Sequence, residues 1–321
     1  MIFAYAASQT QCLQNISRTG KLWKMRRVNM KREKRFRLMM LMVFFCMAAG
    51  FCSSHASSKG AENGKVKVFT EKGKQIPSFH SIEADMKKMD LKIVSTAKER
   101  GSLSYTIYCK NSKNPFSYYV KNGVLHLKES GLEQLSMTER KQKLGKKGWN
   151  YFPKVTVYIP EKTVVKNINM SYADLFLGKK IHFANTQIHM KKGDIFCKKS
   201  GITGTLKISL DDGDFFGKMI NVPGSMEITA KEGDVYITGL KISGELKVNC
   251  NLGDIFVSEV DKKSFSAMSI TAATSVGDMF VSGEMKAGKK KEKGSGYFYK
   301  KDGKGKWKLT ITTKLGDIFL K

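Results

Sequence analysis

The sequence predicts an all-β protein: a single-stranded β-solenoid, like a parallel β-helix, with about 20 residues per coil. Three observations carry that expectation. Asp174, Asp194, Asp214, Asp234 and Asp254 follow one another at a constant step of 20 residues. Around them, apolar residues alternate with period two, as in strands buried on one side. A glycine precedes the aspartate in four of those five units, where a sharp corner needs a residue tolerant of positive φ. A unit this short holds no helix-length segment and cannot bury its own apolar side, so copies must stack. Asp278 and Asp317 continue the motif after steps of 24 and 39 residues, the second fitting one period plus a long insertion.

Taken in order, with the aspartate as position 11, each unit opens with a strand. Position 5 holds Ile168, Ile188, Ile208, Ile228 and Val248, and position 7 holds Met170, Met190, Leu210, Ala230 and Cys250. The corner follows as Gly193 and Asp194, Gly213 and Asp214, Gly233 and Asp234, Gly253 and Asp254. Gly277 and Asp278, then Gly316 and Asp317, repeat it in the outlying units. Positions 12 and 14 are again apolar, as at Val235 and Ile237, and predict a second, shorter strand. Ile220 with Val222 and Leu240 with Ile242 predict a third. Coils stacked about 4.8 Å apart place each strand parallel to its copies. The period-two pattern excludes helical repeats. Alternate units do not differ systematically, which excludes propeller blades built from pairs of units.

Upstream, residues 78–160 read as irregular β coils that cover the amino-terminal edge of the solenoid. "SIEADMKKMDLKIV" alternates twice, and "SLSYTIYC" and "KVTVYIP" are strands. "FSYYVKNGVLHLKE" is a hairpin whose Asn122 and Gly123 suit a type I′ turn. One short polar helix is expected within 133–144. Residues 161–321 form the solenoid repeats, with a Lys-rich insertion at 286–306 that carries nine Lys and two acids. The insertion is either a flexible basic loop or a cover over the carboxy-terminal edge.

The 321 residues carry a formal net charge of +29, nearly all from lysine: Arg occurs at eight positions, six of them before residue 38. A basic stretch from Met30, the 15-residue apolar run 38–52, and the small residues Ser54 and Ala56 follow the order of a secretory signal peptide. The run is short for a membrane span of about 20 residues. The expectation is a signal over 30–56 cleaved after Ala56, a linker over 57–77, and an exported protein that is extracellular or in the cell envelope. An uncleaved membrane anchor is the alternative, and residues 1–29 read as a non-native upstream extension. Without residues 1–56 the chain loses ten basic residues and one acid and keeps +20. Such a charge favours an anionic cell-wall polymer, a glycan or a surface protein as partner, and it equally suits a solvated lysine face. With Arg scarce, no specific nucleic-acid site is expected. Cys109, Cys197 and Cys250 are too few for a disulfide framework and read as buried fillers.

The repeated "GDIF" and "GDVY" units, the "VTVYIP" strand and the "IEADMKKMDLKIV" segment resemble the putative-adhesin family of bacterial β-strand-repeat proteins, domain of unknown function 4097. The resemblance covers roughly residues 78–321. It implies a β-solenoid on an exported or envelope-anchored protein, with no established activity and no catalytic residues to carry over. One departure is position 13, usually polar and variable in that family and aromatic in every unit here.

Position 13 holds Phe176, Phe196, Phe216, Tyr236 and Phe256, with Phe280 and Phe319 in the outlying units. Strand alternation points these rings outward. Three readings are open: a self-stacked ladder, a stripe buried under another segment, or a flat strip that binds glycan faces or a partner. The Gly-Asp pair needs no ligand, since the carboxylate can accept hydrogen bonds from corner N–H groups. Asp211, Asp212, Asp214, Glu232 and Asp234 form the densest acidic cluster, but the Gly- and Asp-dense calcium-loop pattern is absent, so neither a metal nor a cofactor is expected. Of the five His, the nearest pair, His182 and His189, has no Cys or carboxylate at ligand spacing, and no nucleophile motif or phosphate loop occurs. The reading is a non-catalytic binding scaffold; a polysaccharide-lyase-like β-helix enzyme acting on acidic glycans is the alternative.

Overall fold

The computed structural model describes residues 66–146 and 151–321. The expectations for residues 1–56, including the signal and its cleavage, lie outside the described residues. Alternation at positions 3, 5 and 7 produces the long strands of a first sheet. Val164–Tyr172, His182–Lys192, Thr205–Asp212, Ser225–Glu232 and Glu245–Leu252 lie side by side in chain order, all parallel. Residues 20 apart face one another along Ile188, Ile208, Ile228 and Val248. The short strands after each corner build a second parallel sheet with the same step. They are Leu175–Leu177, Ile195–Lys198, Phe215–Lys218, Val235–Thr238 and Ile255–Ser258. The chain is therefore all-β and solenoid-like, with two sheets joined at the Gly-Asp corners.

The third apolar alternation yields only two-residue strands, Gly201–Ile202, Asn221–Val222 and Lys241–Ile242. Inward side chains from all three runs form one hydrophobic cluster in which Ile202, Ile228, Val235 and Ile242 have no exposed surface. Each such side chain stabilises the fold by roughly 1.5–3 kcal/mol. Cys109, Cys197 and Cys250 lie in the same cluster as free, buried thiols.

Chain order and spatial order differ at both ends. Serial stacking would set the Asp278 coil on the Asp254 coil and leave the Asp317 coil outermost. Instead Lys308–Leu315 pairs with Glu245–Leu252, and Ile318–Leu320 pairs with Ile255–Ser258. The coil made of Ser269–Val276 and Met279–Val281 then lies beyond them. The reason is edge availability. The Lys-rich insertion folds into a hairpin, Lys289–Lys293 with Gly296–Lys301, whose second strand takes one edge of Ser269–Val276. A strand has two edges, so the last segment can pair only with the inner one.

At the amino-terminal end, Ser81–Met86 and Asp90–Thr96 form a coil inserted in the same way. Val124–Glu129 and Lys154–Pro160 flank it on one side, and the first solenoid coil flanks it on the other. Antiparallel strands Lys67–Gln75, Ser102–Cys109 and Phe116–Lys121 close this end. Residues 67–75, placed by the sequence in a linker, are thus a strand. Asn122 and Gly123 both have positive φ, 51° and 70°, as a type I′ turn requires. Helix Met137–Leu144 starts at a capping box formed by Ser136 and Glu139. A second short helix, Lys262–Ala267, capped by Asp261, carries the chain out of the regular repeat.

The free edges are blunted by charge. Every residue of Lys289–Lys293 is exposed, and Lys290 Nζ donates to the Met279 carbonyl at 2.6 Å on the edge of the second sheet. Among the described residues, no helix is long and apolar enough to cross a membrane.

Candidate binding site

The corner comes first, because it sets which residues are left for function. Gly193, Gly213, Gly233, Gly253, Gly277 and Gly316 have φ between 125° and 151°. A Cβ at Gly233 would stand 2.1 Å from the carbonyl oxygen of Gly213, so the stacked backbones themselves exclude a side chain. Each aspartate then bridges two coils. The N–H of Asp174 donates to Asp90 Oδ1, and Asp194, Asp214, Asp234, Asp254, Asp317 and Asp278 continue the chain, each donating to the one before at 2.7–3.1 Å. Burial, reinforced by neighbouring carboxylates, pushes Asp90 and Asp194 up to about 6 and Asp214 in the same direction. The aspartates are structural clamps.

The position-13 rings form a continuous stack in the spatial order Phe176, Phe196, Phe216, Tyr236, Phe256, Phe319, Phe280. Successive centroids are 4.4–5.1 Å apart, with planes within 12° of parallel. Ring faces therefore meet ring faces, and the column shows its edges to solvent. Phe216 is 8% exposed, whereas Phe280 at the far end is 44% exposed. The first ring, Phe176, has Lys154 Nζ 4.5 Å from its centroid. The Tyr236 hydroxyl donates to Asp234 Oδ2 at 2.7 Å, and burial together with that carboxylate holds the phenol protonated far above its usual range. Of the three arrangements left open by the sequence, the geometry is that of the self-stacked ladder, whose interior rings cover one another's faces.

The acidic cluster also divides. Lys231 pairs with Asp211 and Lys192 with Asp212, both at 2.8 Å, while Asp214 and Asp234 belong to the clamp. Among the described residues no three His, Cys, Asp or Glu side chains converge to hold a metal.

A groove of about 710 Å³ lies instead on the outer side of the first sheet, across its amino-proximal coils. Its floor follows from the outward positions 4 and 6 of the repeat. One row runs His126, Glu83, then Asn167, Gln187 and Lys207; the next runs Lys128, Asp85, Asn169, His189 and Ser209. Tyr119, from the hairpin strand Phe116–Lys121, stands at one end. Its ring stacks on His126 at 4.8 Å and 23°, and the residue is 51% exposed. Glu83 orients the neighbours: it accepts from Asn167 Nδ2 at 3.2 Å and lies 3.5 Å from His126 Nδ1. His189 Nε2 lies 3.9 Å from Asp211.

None of these groove residues stands out in the linear sequence. The signal lay in the outward columns: position 6 reads Asn169, His189, Ser209, Thr229 and Asn249, without a lysine, in a chain with 57 basic residues. What the columns cannot show is that the hairpin Phe116–Lys121 and Val124–Glu129 extends the same sheet and brings Tyr119 and His126 to its end.

Several solved structures are similar to this chain. A putative cell adhesion protein from Clostridium sporogenes is 15% identical over 80% of this chain and 98% of its own, with a TM-score of 0.28. A putative adhesin from Bacteroides fragilis is 10% identical over 81% and 98%, with a TM-score of 0.37. A putative lipid binding protein from Parabacteroides distasonis is 14% identical over 81% and 98%, with a TM-score of 0.28. A search of curated proteins finds no match. The family model Toastrack DUF4097 matches residues 166–321, the span that holds the Gly-Asp corners and the ring ladder. Residues 166–321 thus match the Toastrack DUF4097 family, the family that the repeats resemble.

Proposed function

We propose that the protein is an exported, adhesin-like binding scaffold of the cell surface or envelope, without catalytic activity. In this reading a single-stranded β-solenoid with a 20-residue coil acts as a rigid wall. The observation that carries it is the open polar groove on that wall, assembled from side chains that the hydrophobic core does not use. The lysine-rich exterior gives a long-range attraction to anionic envelope polymers, and the groove gives a local site. Attachment to a membrane, in this reading, occurs only through an uncleaved amino-terminal segment.

The test is a pull-down of wall material and soluble glycans with the full chain, at low and high salt. A scaffold retains at least one polymer class and releases no new product. Loss of all retention at both salt levels sinks the proposal. Release of unsaturated sugar absorbing in the near ultraviolet replaces it with a lyase.

A further inference from the structure

We infer that the groove is a binding site for an uncharged, hydroxyl-rich polysaccharide chain laid along the solenoid axis, across the strands. The inference rests on the scaffold reading and adds the ligand class and the residues. Three observations carry it.

The first is local charge. In a protein of net charge +29, the groove sets Glu83 and Asp85 against Lys128 and Lys207, so its formal charges cancel. A polyanion drawn to the lysine-rich surface elsewhere meets as many carboxylates as lysines here. The groove therefore presents no net formal charge to a ligand of either sign.

The second is the type of side chain on the floor. Asn167, Asn169, Gln187, His189 and Ser209 each present groups that donate and accept hydrogen bonds. Hydroxyl groups of a sugar need that mixed character, whereas a phosphate or carboxylate needs donors alone. The position-6 row continues beyond the groove as Thr229, Asn249 and Thr312, in strand register throughout. Strand spacing repeats these groups about every 4.8 Å, which suits a polymer with a repeating unit better than a compact ligand.

The third is Tyr119. The rings of the position-13 ladder cover one another, but Tyr119 is stacked on one side only by His126 and remains 51% exposed. A half-stacked ring at the end of a polar track is a platform for the apolar side of a pyranose ring. Glu83 fixes the platform by holding His126 beneath it.

The experiment is affinity electrophoresis of the full chain through gels cast with a neutral glucan, a neutral mannan or polyphosphate, at low and high salt. The neutral polymers act as probes of the groove and polyphosphate as a probe of the lysines. Retardation by at least one neutral polymer should persist at high salt. It should weaken by about tenfold or more in Tyr119→Ala and in the double variant Asn169→Ala/His189→Ala. Both changes lie at outward positions, and unchanged thermal melting confirms that the variants fold. Replacing Lys291 and Lys293 by Glu should reduce only the salt-sensitive retardation by polyphosphate. Retardation by polyphosphate alone, or neutral-polymer binding untouched by the groove variants, overturns the inference and leaves the scaffold reading standing. Absence of any retardation overturns both.

Discussion

At the scale of single residues, the corner glycines and one buried glutamate carry the sharpest consequences. Gly233 has φ of 125°, and a methyl group there meets the Gly213 carbonyl oxygen at 2.1 Å. Gly233→Ala is expected to cost at least about 2 kcal/mol, since backbone strain and a backbone clash add. Gly131 has φ of 113° with open space around its Cβ position, so Gly131→Ala incurs the strain without the clash and should cost less. Urea denaturation of the two variants checks the difference. Glu129 ties down the corner of the inserted amino-terminal coil through its carboxylate. Its buried carboxylate accepts from the N–H groups of Lys87, Lys88, Met89 and Leu132 at 2.8–3.2 Å, holding a corner that lacks a glycine. Glu129→Ala leaves those donors unsatisfied and should cost about 3 kcal/mol or more. Glu129 follows an ordinary strand pattern, and its partners are 40–42 residues away at Lys87, Lys88 and Met89, so its role was not legible in the sequence.

Among elements, the two ladders behave differently and each has its own test. In the ring ladder an interior member has two stacking partners and a terminal one has a single partner. Aromatic pairs contribute about 0.5–1.5 kcal/mol each beyond burial. Phe216→Ser should therefore destabilise about twice as much as Phe280→Ser, measured by chemical denaturation. Equal effects would contradict a continuous ladder. The aspartate ladder responds to pH. Asp90 and Asp194 are pushed up to about 6, above the ordinary carboxylate value of about 3.9, so the folded chain binds more protons than the unfolded chain between those values. Their contribution is fully present below about pH 4 and is lost as pH rises through about 6. Asp194→Asn removes one titrating member. The difference in melting temperature between about pH 5 and about pH 7 should shift toward lower relative stability at the acidic end in that variant. Melting scans of the two proteins at both values decide it. Alternation, the corners and the outward direction of position 13 were all legible locally, because strand pleat fixes them within a few residues. The choice among a self-stacked ladder, a covered stripe and an open strip was not, because it depends on what packs against the column.

For the whole molecule, the inserted coils decide how stability is shared. Lys308–Leu315 is paired on both sides, with Glu245–Leu252 and with Ser269–Val276. Deleting residues 308–321 opens two edges instead of one and removes Leu309, Ile311, Ile318 and Leu320 from the core. The expected result is loss of a single cooperative transition, with faster hydrogen exchange at 245–258 and 269–281. A serial solenoid would lose protection only at its terminal coil. The same geometry explains the exposed, charged strand Lys289–Lys293. It is the outermost strand of the first sheet, where lysine discourages pairing with another chain.

The sequence by itself determined the repeat, the two strand lengths, the inward columns and the glycine corners. Each depends on a strand's period of two or on a backbone conformation at one residue, and both act over short distances. The tertiary structure alone decided the order of the coils at both ends and the existence of the groove. Those depend on which strand edge remains free once other segments have paired. The Asp317 N–H reaches Asp254 across 63 residues, and the hairpin that bears Tyr119 is strand-paired to the repeat through Ser81–Met86. A period of 20 residues cannot encode such contacts, because hydrogen-bonding edges are filled by whichever compatible strand geometry allows, not by the nearest one in the chain.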